Sequence, residues 1–135
     1  MKTRVIFVGI HNKGELVPLD RSTKSGKLIS RIINELPFSF ACERTNLYNV
    51  GYFPTKDELY DLEQEWYWTN LPCHDDIIVL LGNYIHRSFP FDDGIILRVA
   101  HPASKRSHKD MDKYVKDVTE MIIKKTPVNQ NTGKN

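Results

Sequence analysis

Residues 76–82 read Asp76-Ile77-Ile78-Val79-Leu80-Leu81-Gly82, an unbroken apolar run of strand length closed by a glycine. An element without polar positions has no solvent face, so this run suits a strand buried on both sides, as parallel strands beneath helices are. Three more runs of strand length flank it at Arg4–Gly9, Arg44–Asn49 and Gly94–Ala100, the first and last rich in Val, Ile and Leu. Helical patterns lie between them. Leu28, Ile29, Ile32, Ile33 and Leu36 follow the spacing of one helix face. Thr55-x-x-Glu58 matches a capping box and opens a segment with Leu59, Leu62 and Trp66 on one side. Ser107-x-x-Asp110 is expected to open the last helix, where Met111, Tyr114, Val115, Val118, Met121 and Ile122 form an apolar stripe. Strand and helix alternate, which predicts an α/β fold with a mainly parallel sheet sandwiched by helices.

With 135 residues the chain has room for one hydrophobic core. Residues 1–125 are expected to form a single domain. Residues 126–135 are polar and lack apolar period, so a disordered tail is expected there. Apolar residues at 40% and charged residues at 27% exclude a disordered or collagen-like chain. The longest apolar run, Val5 to Ile10, is far short of the roughly 20 residues a membrane helix needs. The opening Met-Lys-Thr-Arg leads into that run with no small-residue cleavage site behind it, so a cytoplasmic protein without a membrane partner is expected. Two cysteines, Cys42 and Cys73, cannot supply a disulfide framework or a metal centre held mainly by thiolates.

The net charge of +2 says less than its distribution. Residues 1–31 carry seven Lys/Arg against two Asp/Glu, residues 32–100 four against eleven, and residues 101–135 eight against four. Basic ends flanking an acidic middle are expected if both ends meet on one face that attracts an anion; an unevenly charged solvated surface is the plain alternative. Nucleic acid, whose affinity is dominated by phosphate neutralisation, is a candidate partner.

In α/β sheets of this kind ligands bind outside the carboxyl ends of the strands. The segments leaving those ends are 9–22, 49–55, 82–89 and 101–107. The first contains Gly9-Ile10-His11-Asn12-Lys13-Gly14, but Glu15 and Leu16 follow where a phosphate loop requires Lys and Ser/Thr, which excludes that motif. No G-x-S-x-G elbow occurs. His11 and His101 each sit immediately past a strand, and Pro102 fixes the turn that carries the second imidazole. Asn46 lies within its strand, so its amide either braces a loop or meets a ligand, and it offers both a donor and an acceptor. Cys73-His74-Asp75-Asp76 reads as a polar loop capping the next strand, because no second ligand cluster accompanies it. Lys105, Arg106 and Lys109 open a helix where basic groups oppose the dipole, which a bound phosphate would offset. Trp66, Tyr67 and Trp68 read as helix and core packing.

Taken in order, these segments resemble the uracil-DNA glycosylase superfamily from about Arg4 to Ile122. Val5-Ile6-Phe7-Val8-Gly9-Ile10 is similar to the first strand and its active-site loop, G-I-N-P-G in one branch and G-E-A-P-G in another. Pro18-Leu19 and Ser25-Gly26-Lys27-Leu28-Ile29 resemble the segment leading into the first helix. Thr45-Asn46 matches the T-N whose asparagine reads uracil, Ile78–Gly82 looks like the third strand, and His101-Pro102-Ala103-Ser104 resembles the H-P-S signature.

The resemblance implies a three-layer αβα sandwich around a central four-stranded, mainly parallel sheet. It implies an enzyme that flips a deoxynucleotide out of DNA and hydrolyses its N-glycosidic bond. His101 would hydrogen-bond the departing base, and Asn46 would pair with its Watson–Crick edge. Gly9, Ile10 and Leu19 would line the base, with Leu19 standing where a stacking phenylalanine is usual. Ile10 and His11 occupy the columns of the water-positioning residue, so Asn12 or His11 is expected to serve. Ser104, Lys105 and Arg106 would meet single- or double-stranded DNA, Lys105 replacing an apolar wedge. No cofactor and no metal are implied, the cluster-binding cysteines of the heat-stable branch being missing, and a monomer is expected. Two alternatives stay open: a non-catalytic module binding a nucleobase, nucleotide or DNA on the same fold, and a metal-dependent hydrolase using His11 and His101.

Overall fold

The computed structural model describes residues 3–11, 23–48, 55–70, 72–73, 75–82 and 95–125. Its strands are β1 (Thr3–His11), β2 (Phe40–Tyr48), β3 (Ile77–Leu81) and β4 (Ile95–Val99). Its helices are α1 (Lys24–Glu35), α2 (Lys56–Asn70), α3 (Lys105–Lys109) and α4 (Met111–Lys125). The strands form one sheet in the order β2-β1-β3-β4, and every pairing is parallel. "Mainly parallel" thus becomes wholly parallel among the described strands. All four carboxyl ends therefore lie along one edge.

Alternation along the strands builds two cores, one on each face of the sheet. Val5 and Phe7 of β1, Ile77, Val79 and Leu81 of β3, and Leu97 and Val99 of β4 pack against Leu28, Ile29 and Ile32 of α1 and Val115, Val118 and Ile122 of α4. The intervening Ile6, Val8, Ile78 and Leu80 pack against Leu59, Trp66 and Tyr67 of α2. This is the αβα sandwich. The fully buried Ile77–Leu81 is what a strand covered on both faces requires.

Local chemistry sets the ends of the helices. Thr23 caps α1 by accepting from the Gly26 N–H at 2.9 Å, and Pro37 follows the last turn, where no helical N–H is available. The capping box at α2 is closed in both directions, Thr55 N–H to Glu58 Oε1 at 3.0 Å and Glu58 N–H to Thr55 Oγ1 at 3.2 Å.

Four expectations are corrected. β2 begins at Phe40, not Arg44, because its first residues are half-exposed on an edge strand and include Glu43, which pairs with Arg4. Ser107 does not open the last helix: Ser104 caps α3, the chain breaks at Asp110, and Asp110 Oδ1 accepts from Lys113 N–H at 3.1 Å to start α4. Trp68 is 64% exposed, because the step past Trp66 and Tyr67 carries it off the buried face of α2. Met111 and Met121 are exposed as well, one on the first turn of α4 and the other a quarter-turn off its buried arc. Glu63 is wholly buried in the smaller core, a position that no apolar pattern announces.

Candidate functional site

The turn after β4 places His101 at the carboxyl edge. Ser104 N–H donates to His101 O at 3.0 Å, closing a four-residue turn with Pro102 at its second position, where the ring's fixed φ is suited. Ala103 N–H donates to His101 Nδ1 at 3.0 Å. A backbone amide can only donate, so Nδ1 is the unprotonated nitrogen of the neutral ring and Nε2 carries the proton. The turn thus fixes both the orientation of the imidazole and its tautomer.

The ring also has a seat. Gly82, directly after β3, has φ +99°, a left-handed conformation that favours glycine, and its N–H donates to Val99 O at 3.0 Å. A Cβ at residue 82 would lie 3.3 Å from His101 Cδ2 and 3.4 Å from its Cβ. Because Gly82 has no side chain, the imidazole stands against the end of β3 rather than out beyond β4.

Register connects this end of the edge to the other. Thr45, Val8, Leu80 and Arg98 form one row across the sheet. In the next row Asn46 pairs with Gly9 and Leu81 pairs with Val99, all on the face covered by α1 and α4. Arg44, two residues before Asn46 on that face, donates to Ser30 Oγ of α1 at 2.8 Å. Asn46 is half-buried, and its amide makes no hydrogen bond among the described residues. Gly9, beside it, puts a gap in the row. From β2 to β3 is two inter-strand spacings, roughly 10 Å. A small planar heterocycle with a hydrogen bond of about 2.9 Å at each end spans such a separation.

The remaining candidates divide by what the structure describes. His11, expected just past its strand, is instead the last residue of β1, in register with Tyr48; the side chains of Ile10 and His11 lie outside the described residues, as do Asn12 and Leu19 altogether. The Ser104 hydroxyl is engaged in capping, accepting from Ser107 N–H at 3.2 Å. Lys105 is exposed on the first turn of α3, and the Arg106 side chain lies outside the described residues. Exposed Lys24 and Lys27 stand on the first turn of α1, which also begins at this edge, so basic groups from both ends of the chain share it. The loop before β3 is capped as expected, Cys73 N–H donating to Asp76 Oδ2 at 2.9 Å, and Asp76 also meets Arg4. Among the described residues no three His, Cys, Asp or Glu side chains cluster to hold a metal ion. No described helix is long and apolar enough to cross a membrane.

Two contributors were not apparent as such from the sequence. Ser107 and Tyr114, read as a helix opener and a core residue, both donate to the strand exit that carries His101. The Ser104-x-x-Ser107 spacing was the available signal for the first. In comparison with known proteins, the chain matches no family model and no curated protein.

Proposed function

We propose that the chain is a cytoplasmic DNA-base glycosylase that needs no cofactor and hydrolyses the N-glycosidic bond of a flipped-out uracil or related modified pyrimidine. The observation that supports it best is the His101 imidazole, held as an Nε2–H donor on the same carboxyl edge of the sheet as the amide of Asn46, which makes no hydrogen bond among the described residues. In this reaction the C1′–N bond breaks, its electron pair leaves with the base, and water adds to the sugar cation with release of one proton. Stabilising the charge that develops on the base is therefore the main task. His101 Nε2–H donates to the base oxygen that takes up that charge. Asn46 presents a donor and an acceptor to the Watson–Crick edge. The target must leave the stack to reach them, and Lys24, Lys27 and Lys105 offer positive charge to the phosphates on either side. Asn12 or His11, at the exit of β1, positions the water.

The Asn46 amide would equally serve a module that binds a base without cleaving it, and that is the competing reading. The test is release of free base by chelator-treated protein from single- and double-stranded oligonucleotides containing uracil, hypoxanthine, xanthine or a modified pyrimidine. Release of uracil or a modified pyrimidine, leaving an abasic strand, is expected. Salt-sensitive DNA binding without release would favour the binding module, and release only after a divalent metal is added would favour a hydrolase.

A further inference from the structure

Three consecutive carbonyls lead into the His101 side chain, and each accepts from a different element. Gly82 N–H, at the end of β3, donates to Val99 O at 3.0 Å. The Tyr114 hydroxyl of α4 donates to Ala100 O at 2.6 Å. The Ser107 hydroxyl of α3 donates to His101 O at 2.8 Å. Proton accounting fixes the directions around Ser107, which is only 2% exposed. Its single hydroxyl proton goes to His101 O, so Ser104 donates its own hydroxyl proton to Ser107 Oγ across 2.9 Å while accepting Ser107 N–H. Capping α3 uses only that N–H, which almost any residue at position 107 would supply. The hydroxyl is used past the cap, on the residue that bears the imidazole.

We propose that Ser107 and Tyr114 are positioning residues for His101. They clamp the two peptides on either side of its Cα, so that Nδ1 stays under the Ala103 N–H and the Nε2 proton keeps one direction. The kinetic consequence rests on the glycosylase reading; the effect on the ring does not. A displacement of about 1 Å at a reacting group can cost on the order of a hundredfold in rate, so removal of one clamp is expected to lower kcat about tenfold and leave KM within about twofold.

The experiment uses the full chain labelled with nitrogen-15 in histidine, as Ser107→Ala, Ser107→Thr and Tyr114→Phe. Ser107→Ala and Tyr114→Phe are expected to shift the two His101 ring nitrogens toward a mixture of tautomers, and Ser107→Thr, which keeps the hydroxyl, is expected to restore them. Base release by the same proteins supplies the kinetic arm. If the natural chain releases no base, the glycosylase reading fails while the ring nitrogens still decide the positioning role. If Ser107→Ala does not fold, Tyr114→Phe decides alone. Folded Ser107→Ala or Tyr114→Phe with His101 ring resonances identical to those of the natural chain overturns the proposal.

Discussion

At the β4 end of the sheet's carboxyl edge the backbone polar groups that carry His101 are committed. Val99, Ala100 and His101 each give a carbonyl to a donor from another element, and Nδ1 takes the Ala103 N–H. At the β2 end the Asn46 amide is committed to nothing among the described residues. On the proposed glycosylase reading, the difference separates two tasks. A group that stabilises charge gains from being fixed before the reaction starts, because no reorganisation is then needed as charge develops. A group that selects a base gains from hydrogen bonds left open, which the right ligand fills and a wrong one leaves unsatisfied.

Substitutions at the two ends should therefore behave differently, and the largest effect belongs to the fixed end. His101→Ala is expected to lower base release by about 10²- to 10³-fold while leaving the urea midpoint little changed, since other elements hold the turn. Asn46→Ala is expected to lower release by about 10- to 100-fold, and to shift stability by no more than about 0.5 kcal/mol, because the amide makes no hydrogen bond among the described residues. A large loss of stability in Asn46→Ala would erase the distinction between the two ends.

Gly82→Ala sharpens it from the opposite direction. The new Cβ meets the imidazole at 3.3 Å on a backbone with φ +99°, so a destabilisation of about 1–2 kcal/mol is expected in urea titration. Base release should fall with it, because the ring loses its seat. The smallest effect concerns alkaline pH. Burial pushes the Tyr114 phenol up from its ordinary value of 10.0. Its contribution to stability is therefore complete below that value and shrinks as pH climbs from there toward the raised folded value. Urea midpoints of the natural chain should fall more steeply between about pH 9 and about pH 11 than those of Tyr114→Phe; equal slopes would mean that Tyr114 is not buried as described.

Legibility in the sequence tracked burial. Ile77–Leu81 announced itself because both faces are covered, and with the other runs it was enough to predict the layered α/β fold. The first half of β2 was missed because an edge strand alternates weakly and carries Glu43 for an ion pair with Arg4. Asn46 stood out as an amide within a strand, and His101 by its place past β4 with Pro102 behind it. Gly82 was visible as a letter, but its seat for the imidazole depends on β3 and β4 lying side by side, which single-chain spacing does not encode. Ser107 was misread because two capping residues, Ser104 and Asp110, compete within seven positions, and only the break at Asp110 assigns each its helix. Asn12 and Leu19 lie outside the described residues, so the β1 exit is known from its register alone.

The central claim is that His101 waits as an Nε2–H donor and meets the base through that proton. Nitrogen-15 spectra of its ring, in the free chain and with an excess of a uracil-containing oligonucleotide whose sugar resists hydrolysis, test it most directly. An unprotonated Nδ1 in both states, with the Nε2 proton moving when DNA binds, is the predicted result. An Nδ1–H ring in the free chain, or an Nε2 signal unmoved by saturating DNA, would contradict it.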